Sequence, residues 1–552
     1  MIDFFDVSNG HLYVAIILSI INAVILCFMG YKFMQVIQLS GYHSRGYFDW
    51  LKGVGSVHLG RVGVVAFLST ACFIVADVIL DDYNSYLPYL GFIFYCLFSY
   101  IYIRNVHIAP QKTPLRMTGR MYRAVILMFF LGSIATYALI VCSALLVPLY
   151  SYGAVTLTPL LVPVLEPFTH WVMTPIENAI NGGFEYKAEK KLSQFSNLIK
   201  IGITGSFGKT STKNFLTTIL SEKYSVCASP YNYNTPMGIS KTILQNLNVG
   251  HQVLIAEMGA RQIGDVKKLC EFVKPQYGIL TSIGPQHIAT FKSFENVKRA
   301  KKELPDYLAS NGGFCVFNVD SESVEEVASK VEVEKVKVSV QHKSDVWASD
   351  IITTKDGTSF NLHLADKVYQ CKTKLLGVHN ISNILSCVAL AKKLEVEDEK
   401  IVEGIAKIQP VEHRLQLMQA DNDVTILDDT YNASIEGSKR ALEVLKLFDD
   451  RRKVVITSGL IELGSIERLE NYNFGARIAE VADLVIIVNR TCDDFVPARV
   501  IRRFPVERLD YRSWGSFIFN RDLNVADRYF TVLAVRSLRC AFGLIPECEL
   551  HR

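Results

Sequence analysis

The first 180 residues alternate long apolar runs with short charged segments, and the remainder of the chain does not. Apolar runs occur at about 12–30, 61–80, 86–103, 124–148 and 156–175. Each of the first four is long enough to cross a hydrocarbon core of roughly 30 Å as a helix. The fifth carries Pro159, Pro163, Glu166 and Pro167, which predicts a broken or re-entrant helix whose backbone protein must shield. A polar, Lys-rich connector follows at about 185–200. From residue 197 short buried strands run into glycine turns and helical patterns, the mark of an α/β fold. The expected organisation is an α-helical membrane region over 1–180 followed by α/β domains.

Charge orients the first region. Lys32, Arg45, Lys52 and Arg61 follow the first run, and Arg104, Lys112, Arg116, Arg120 and Arg123 follow the third, while Asp3, Asp6, Asp81 and Asp82 mark the other side. Basic loops stay inside, so the N-terminus is expected outside. Five crossings then put the α/β part on the inner side, where it must lie if it uses ATP. Four crossings would put it outside. The acidic start MIDFFD does not resemble a cleaved signal peptide.

Composition narrows the picture further. The 552 residues are 50% hydrophobic and 20% charged, and the net charge is +4. Mean hydropathy is +0.22, high for a wholly soluble chain. So small a charge excess argues against nucleic acid as a partner. The 12 cysteines show no CxxC spacing and several fall in apolar runs, so reduced thiols are expected.

The strand pattern ending at Thr204 leads into Gly205-Ser206-Phe207-Gly208-Lys209-Thr210-Ser211 and then a helical pattern through Leu220. Strand, glycine turn and helix form a phosphate cradle: backbone N–H groups face the anion, Lys209 reaches the β- and γ-phosphates, and Thr210 faces Mg²⁺. The match to the strict phosphate-loop pattern is imperfect, since Ile203 stands where a glycine is expected. Further along, a strand ends on Glu257, a loop carries His287, and a helix start carries Lys301. Strand ends of a doubly wound sheet converge beside such a loop, where a carboxylate, an imidazole and a further anionic oxygen could hold divalent cations. Taken singly, Glu257 reads equally as a loop ion pair, His287 as a turn histidine and Lys301 as a solvated helix lysine.

Taken together, TGSFGKTSTK, NYNTPMG, EMGA, QHIATF and AKKEL resemble the Mur ligase family, and within it the branch that adds D-alanyl-D-alanine to a UDP-muramoyl tripeptide. The resemblance continues through Phe317–Asp320, Gly377–Asn383, Glu412–Arg414, Asp428–Ser434 and Gly459–Gly464, covering roughly 197–490. It implies a phosphate-loop central ATP-binding domain over 181–409 and a Rossmann-like C-terminal domain over 410–552. It also implies an ATP- and Mg²⁺-dependent amide ligase working through an acyl phosphate. By position, Lys209 and Thr210 match residues that bind phosphates and Mg²⁺, and Glu257 and His287 match magnesium ligands. Lys301 matches a lysine that some relatives carbamylate, Asn380 and Asn383 match adenine-side asparagines, Arg414 a phosphate-contacting arginine, and Asp429 the ribose-binding aspartate. The expected partners are an amino acid or short peptide, an envelope precursor, and membrane lipid.

Two departures stand out. The membrane region replaces the substrate domain that usually holds the UDP-sugar, which points to an acceptor held at the membrane, lipid-linked rather than soluble; Glu166 and His170 are the ionisable groups expected there. The end of the chain is also atypical. Residues 1–489 hold 33 Lys and 14 Arg, whereas 490–552 hold 11 Arg and no Lys. The family's C-terminal signature is not found there, and the histidine expected within 471–475 is absent. An incomplete C-terminal domain is the expectation. The competing readings are a tethered ligase for a soluble UDP-muramoyl peptide and an ATP-binding pseudoenzyme that recruits envelope enzymes.

Overall fold

A computed structural model describes residues 11–42, 44–53, 55–79, 87–108, 114–146, 152–420, 424–430, 434–460, 463–488, 506–509 and 530–535. Tyr431 to Ala433, Glu462, the acidic turn at 81–82 and most of the Arg-rich stretch 490–552 lie outside the described residues. The chain divides into two compact units, 1–182 and 183–552.

The first unit is helical: α1 (His11–Met29), α2 (Tyr31–Leu39), α3 (Ser44–Lys52), α4 (Gly55–Ile79), α5 (Leu87–Ile108), α6 (Gly119–Leu146), a 3₁₀ stretch Gly153–Leu161, and α7 (Val162–Leu192), which runs through the division. Among the described residues, three helices are long and apolar enough to cross a membrane, with spans Leu12–Met29, Gly55–Val75 and Gly119–Leu146. These coincide with three of the five apolar runs. The run at 156–175 breaks once, where the 3₁₀ stretch meets α7, and not at Pro167 or Pro175, which lie inside α7. Pro167 has no N–H to offer the Pro163 carbonyl one turn earlier. The Tyr47 hydroxyl donates to that carbonyl instead at 2.6 Å.

Polar side chains stitch these apolar helices together. Asn22 donates to Thr136 and Thr158, each at 2.9 Å, and accepts from the Tyr95 hydroxyl at 2.6 Å. Satisfying a buried amide from three elements fixes their mutual register.

The second unit holds two sheets. The first has the order β2-β3-β1-β4-β5-β6-β7-β8-β9. Its strands are β1 (Ile199–Thr204), β2 (Val226–Ala228), β3 (Val253–Glu257), β4 (Tyr277–Leu280), β5 (Phe314–Asn318), β6 (Glu334–Ser339), β7 (Val346–Thr354), β8 (Gly357–Leu364) and β9 (Lys367–Thr373). Pairing is parallel through β7 and antiparallel beyond it. Intervening helices are α8 (Lys209–Leu220), α9 (Pro236–Gln245), α10 (Asp265–Val273), α11 (Ile288–Phe291), α12 (Phe294–Ser310) and α13 (Glu322–Lys330); α14 (Val378–Lys393) and α15 (Asp398–Lys407) follow the sheet. The strands β3 and β5 are buried along their whole length, as a parallel sheet covered on both faces requires.

The second sheet has the order β10-β11-β15-β12-β13-β14, from β10 (Gln416–Gln419), β11 (Val424–Asp429), β12 (Arg452–Thr457), β13 (Leu484–Val488), β14 (Val506–Leu509) and β15 (Phe530–Val535), with helices α16 (Ile435–Lys446) and α17 (Glu467–Val481). The atypical tail therefore contributes two strands, one of them central: β15 pairs in parallel with both β11 and β12.

Candidate active site

The strand β1 has β3 on one side and β4 on the other, although neither follows it directly in sequence. Connections on its two sides leave in opposite directions, which opens a crevice at the carboxyl ends of the strands. The loop Gly205–Gly208 fills that crevice. Gly205 has φ +152°, and a Cβ there would lie 2.1 Å from the Thr281 hydroxyl. Gly208, φ +82°, caps α8, and a Cβ there would lie 2.6 Å from the Asn383 side-chain oxygen. Only glycine fits either position. The loop is further pinned by residues just past β4. Ser206 N–H donates to the Ser282 carbonyl at 2.8 Å, Phe207 N–H to the Ser282 hydroxyl at 2.8 Å, and the Ser206 hydroxyl to the Gly284 carbonyl at 3.0 Å.

Lys209 opens α8, and its ammonium donates to the carbonyls of Gly205 at 2.6 Å and Ser206 at 3.1 Å. Burial pushes this ammonium down to about 8, against the opposing pull of Glu257, and Arg414 lowers it further. Thr210 donates to Glu257 Oε2 at 3.0 Å, and Asn234 donates to Glu257 Oε1 at 3.1 Å. Lys213 completes the group. Its Nζ lies 3.4 Å from Glu257 Oε2 and also donates to the Tyr231 carbonyl. Lys213 and Asn234 carry no role in the reading from sequence. The final lysine of TGSFGKTSTK was the available signal: its position, four residues after Lys209, puts it on the same face of α8.

Lys301, in the second turn of α12, is buried. Burial, then the Lys209 ammonium, push it well below the ordinary lysine range, while Asp265, Glu303 and Glu257 act the other way. His287 stands at the N-terminus of the single-turn helix α11 with φ +53°, and its carbonyl accepts from Thr290 and Phe291. Among the described residues no three His, Cys, Asp or Glu side chains gather as a metal site. The pair Thr210 and Glu257 nevertheless suits Mg²⁺, which takes one or two carboxylates with substrate phosphates and keeps several waters.

A small cleft opens beside the loop, lined in part by Ser211, Asn380, Pro410, Arg414 and Leu415. It brings three of the sequence-predicted residues to one space. Asn380 is turned back on its own helix, donating to the Leu376 carbonyl at 2.9 Å, while Asn383 lies against Gly208. Arg414 sits between His413, φ +61°, and Leu415, φ +50°. Those two left-handed residues turn the chain sharply around it. His413 Nδ1 lies 2.5 Å from Asp428 Oδ2, a pairing that the sequence reading left without a role. Burial raises the neighbouring Asp429 to about 7, with Arg414 opposing.

Residues 203–391 match the Mur ligase middle domain, and residues 413–509 match the Mur ligase glutamate ligase domain. The chain is 31% identical over 284 residues to the UDP-N-acetylmuramoyl-tripeptide–D-alanyl-D-alanine ligase of Buchnera aphidicola subsp. Baizongia pistaciae, covering 51% of this chain and 61% of that protein. It is 30% identical over 297 residues to the enzyme of the same name from Mycobacterium tuberculosis strain H37Rv, covering 52% and 58%. The chain thus spans about three-fifths of the length of these curated relatives. Among solved structures, MurF from Acinetobacter baumannii superposes with a TM-score of 0.58 at 23% identity, covering 64% of this chain and 77% of that one. MurF from Thermotoga maritima in complex with ADP gives 0.56 at 23% identity, covering 64% and 80%. These two superpositions establish a shared fold.

Proposed function

The chain belongs to the Mur ligase family through its middle and C-terminal domains, and from that premise we propose that it is a membrane-anchored, ATP-dependent, ADP-forming amide ligase for a cell-envelope precursor. The observation that carries this reading is the juxtaposition of the phosphate loop with Glu257, Lys213 and the cleft at Arg414.

The chemistry follows from these groups. A carboxylate of the acceptor attacks the γ-phosphorus of ATP, the bond to the β-γ bridging oxygen breaks, and ADP leaves from an acyl phosphate. The amine of an amino acid or short peptide then attacks the acyl carbon, losing its proton as phosphate departs. Backbone N–H groups at the start of α8 and the Lys209 ammonium face the charge that spreads over the transferring phosphoryl group. For that, Lys209 must release the Gly205 and Ser206 carbonyls and turn toward the nucleotide. Thr210 and Glu257 are the groups that would hold Mg²⁺, which supplies charge neutralisation on the phosphates. Asn383 against Gly208, with Asn380 and Arg414 in the cleft, positions the rest of the nucleotide, and Asp429 takes the ribose. Lys301 suits carbamylation: burial favours its neutral amine, which attacks the carbon of CO₂ and releases a proton to solvent, and the carbamate so formed offsets Lys209. His287 is assigned as a further metal-side group.

The first unit supports placement in the inner membrane with the ligase domains in the cytoplasm. Its helices present three membrane-length apolar spans where family members bind their sugar nucleotide. We assign the acceptor to the lipid-linked class on that ground, and because Glu166 and His170 are buried there. The names of the relatives favour a second reading, addition of D-alanyl-D-alanine to a soluble UDP-muramoyl tripeptide. The test is ADP release by full-length protein given D-alanyl-D-alanine and either acceptor. Turnover confined to the lipid-linked acceptor supports the first reading. Equal turnover on the soluble one supports the second, and none with either, or with other amines, supports the scaffold alternative. A periplasmic reporter fused after Lys200 should be inactive; strong activity would overturn the cytoplasmic placement.

A further inference from the structure

The basic ends of the apolar helices hold a concentration of polar atoms that the fold leaves unsatisfied. Among the described residues, buried atoms without a hydrogen-bond partner include His58 Nδ1, Tyr102 Oη, Arg120 Nε, Glu166 Oε2 and His170 Nδ1. They come from α4, α5, α6 and α7. These helix ends meet in one apolar cluster that includes Phe33, Tyr47, Tyr102, Met121 and Leu165. The Arg120 guanidinium lies 3.8 Å over the Tyr42 ring, and that ring is 5.3 Å from His170. His170 Nε2 is 3.0 Å from Glu166 Oε1, both side chains being 3% exposed or less. Arg61 acts electrostatically on both His58 and Tyr102, and Lys32 acts on His58.

The charges do not cancel. Arg123 is bound twice by Glu177, at 2.8 and 2.9 Å, and Glu166 is covered by His170. Lys32, Arg61 and Arg120 make no close ion pair with a carboxylate among the described residues: Glu177 acts on Arg120 only at longer range, against Arg123, and Lys32 donates to the Gln35 side chain at 2.7 Å. Lys32 and Arg61 thus act on the unpartnered His58 nitrogen, Arg61 on the unpartnered Tyr102 hydroxyl, and Arg120, its own N–H unpartnered, stacks on the ring beside His170. Leaving such groups dry and unpaired is costly, and ionisable groups at this depth are seldom idle.

We infer that these helix ends form a binding site for a phosphate group carried on a lipid, with Lys32 and Arg61 supplying charge, Arg120 and Tyr102 donating to phosphate oxygens, and the Glu166–His170 pair taking a protonated oxygen or neighbouring hydroxyl. This inference rests on the reading that the first unit lies in the membrane. A phosphate monoester fits better than a bulk diester headgroup, because its second negative charge offsets more of the charge on Lys32, Arg61 and Arg120. The lone acid, Glu166, is tolerable beside an anion because His170 bridges to it.

The test uses full-length protein in phosphatidylcholine nanodiscs, with a long-chain isoprenyl monophosphate as the probe and native mass spectrometry as the readout. One probe molecule per chain should be retained in preference to the matching isoprenol and to phosphatidylglycerol. Arg61→Gln and Arg120→Gln should each weaken retention about tenfold or more. Tyr102→Phe, which removes one hydroxyl and no charge, should weaken it about fivefold and carries the test if Arg120→Gln fails to fold. Equal retention of the isoprenol or of phosphatidylglycerol, or variants that bind as the parent does, would overturn the proposal. So would displacement by inorganic phosphate at equal concentration, which would mark a free-anion site. Ligation measured on the same samples separates the two readings: ADP release without probe retention sinks the lipid-phosphate site and leaves the ligase assignment standing.

Discussion

The Lys213 ammonium lies 3.4 Å from the Glu257 carboxylate, each side chain being 1% exposed. Both ions are out of water, so neither can lose its partner cheaply. Lys213→Ala should destabilise the ATP-binding domain by about 3–5 kcal/mol, because it strands a buried carboxylate. Adding Glu257→Gln should restore most of that loss while leaving ligation dead. Chemical denaturation of the single and double variants measures the coupling, and simple additivity would show that the two charges do not act as a pair.

Lys209→Ala should lower ligation on the order of 10²-fold or more, because the charge spreading from the γ-phosphoryl group loses the ammonium at the loop. The folded protein should survive, since Lys209 makes only hydrogen bonds to its own loop. Steady-state ADP release checks it. Turnover like that of the parent would remove the phosphate-loop assignment.

Lys301→Ala should lose activity and regain part of it with short carboxylates such as acetate or formate, which can occupy the space of a carbamate. The parent should respond to bicarbonate. The physical basis is burial beside Lys209, which favours the neutral amine. A fully active Lys301→Ala would reduce this residue to a packing role.

Asp429, raised to about 7 by burial, should make nucleotide affinity pH-dependent. Its ionised form accepts ribose hydroxyls more strongly, so affinity should rise as pH climbs through about 7, and Asp429→Asn should flatten that profile. The sign for stability is opposite. The folded chain holds a proton that an unfolded aspartate releases near pH 3.9, so this group's contribution to stability falls as pH rises from about 4 to about 7. Calorimetric nucleotide titrations at several pH values provide the measurement.

The phosphate loop was legible because its determinants are local. Gly205 and Gly208 are demanded by backbone angles and close contacts that only glycine tolerates, and Lys209 and Thr210 follow directly. The three membrane-length spans were legible from apolar length alone. Lys213 was not, because its role depends on Glu257, which reaches it from a strand 44 residues further along. The His413–Asp428 contact was hidden for the same reason: the 15-residue separation is closed by the antiparallel pairing of β10 with β11. The Pro-rich run was legible in part: a break and a shielded backbone were expected, and the 3₁₀ stretch meets α7 within the run. Prolines predict backbone gaps, but the Tyr47 hydroxyl that fills one comes from a different helix.

The position of β15 sets an order on how this protein can be made. Residues 530–535 fill the gap between β11 and β12, strands that leave the ribosome roughly a hundred residues and roughly eighty residues earlier, respectively. The helical unit and the first sheet can form while synthesis continues, since folding proceeds from the N-terminus in domain-sized pieces. The second sheet cannot close until residues 530–535 have emerged. Until then the nascent chain carries two parallel strand edges with nothing between them, an aggregation hazard. Chains terminated before codon 530 should therefore be cleared by proteolysis.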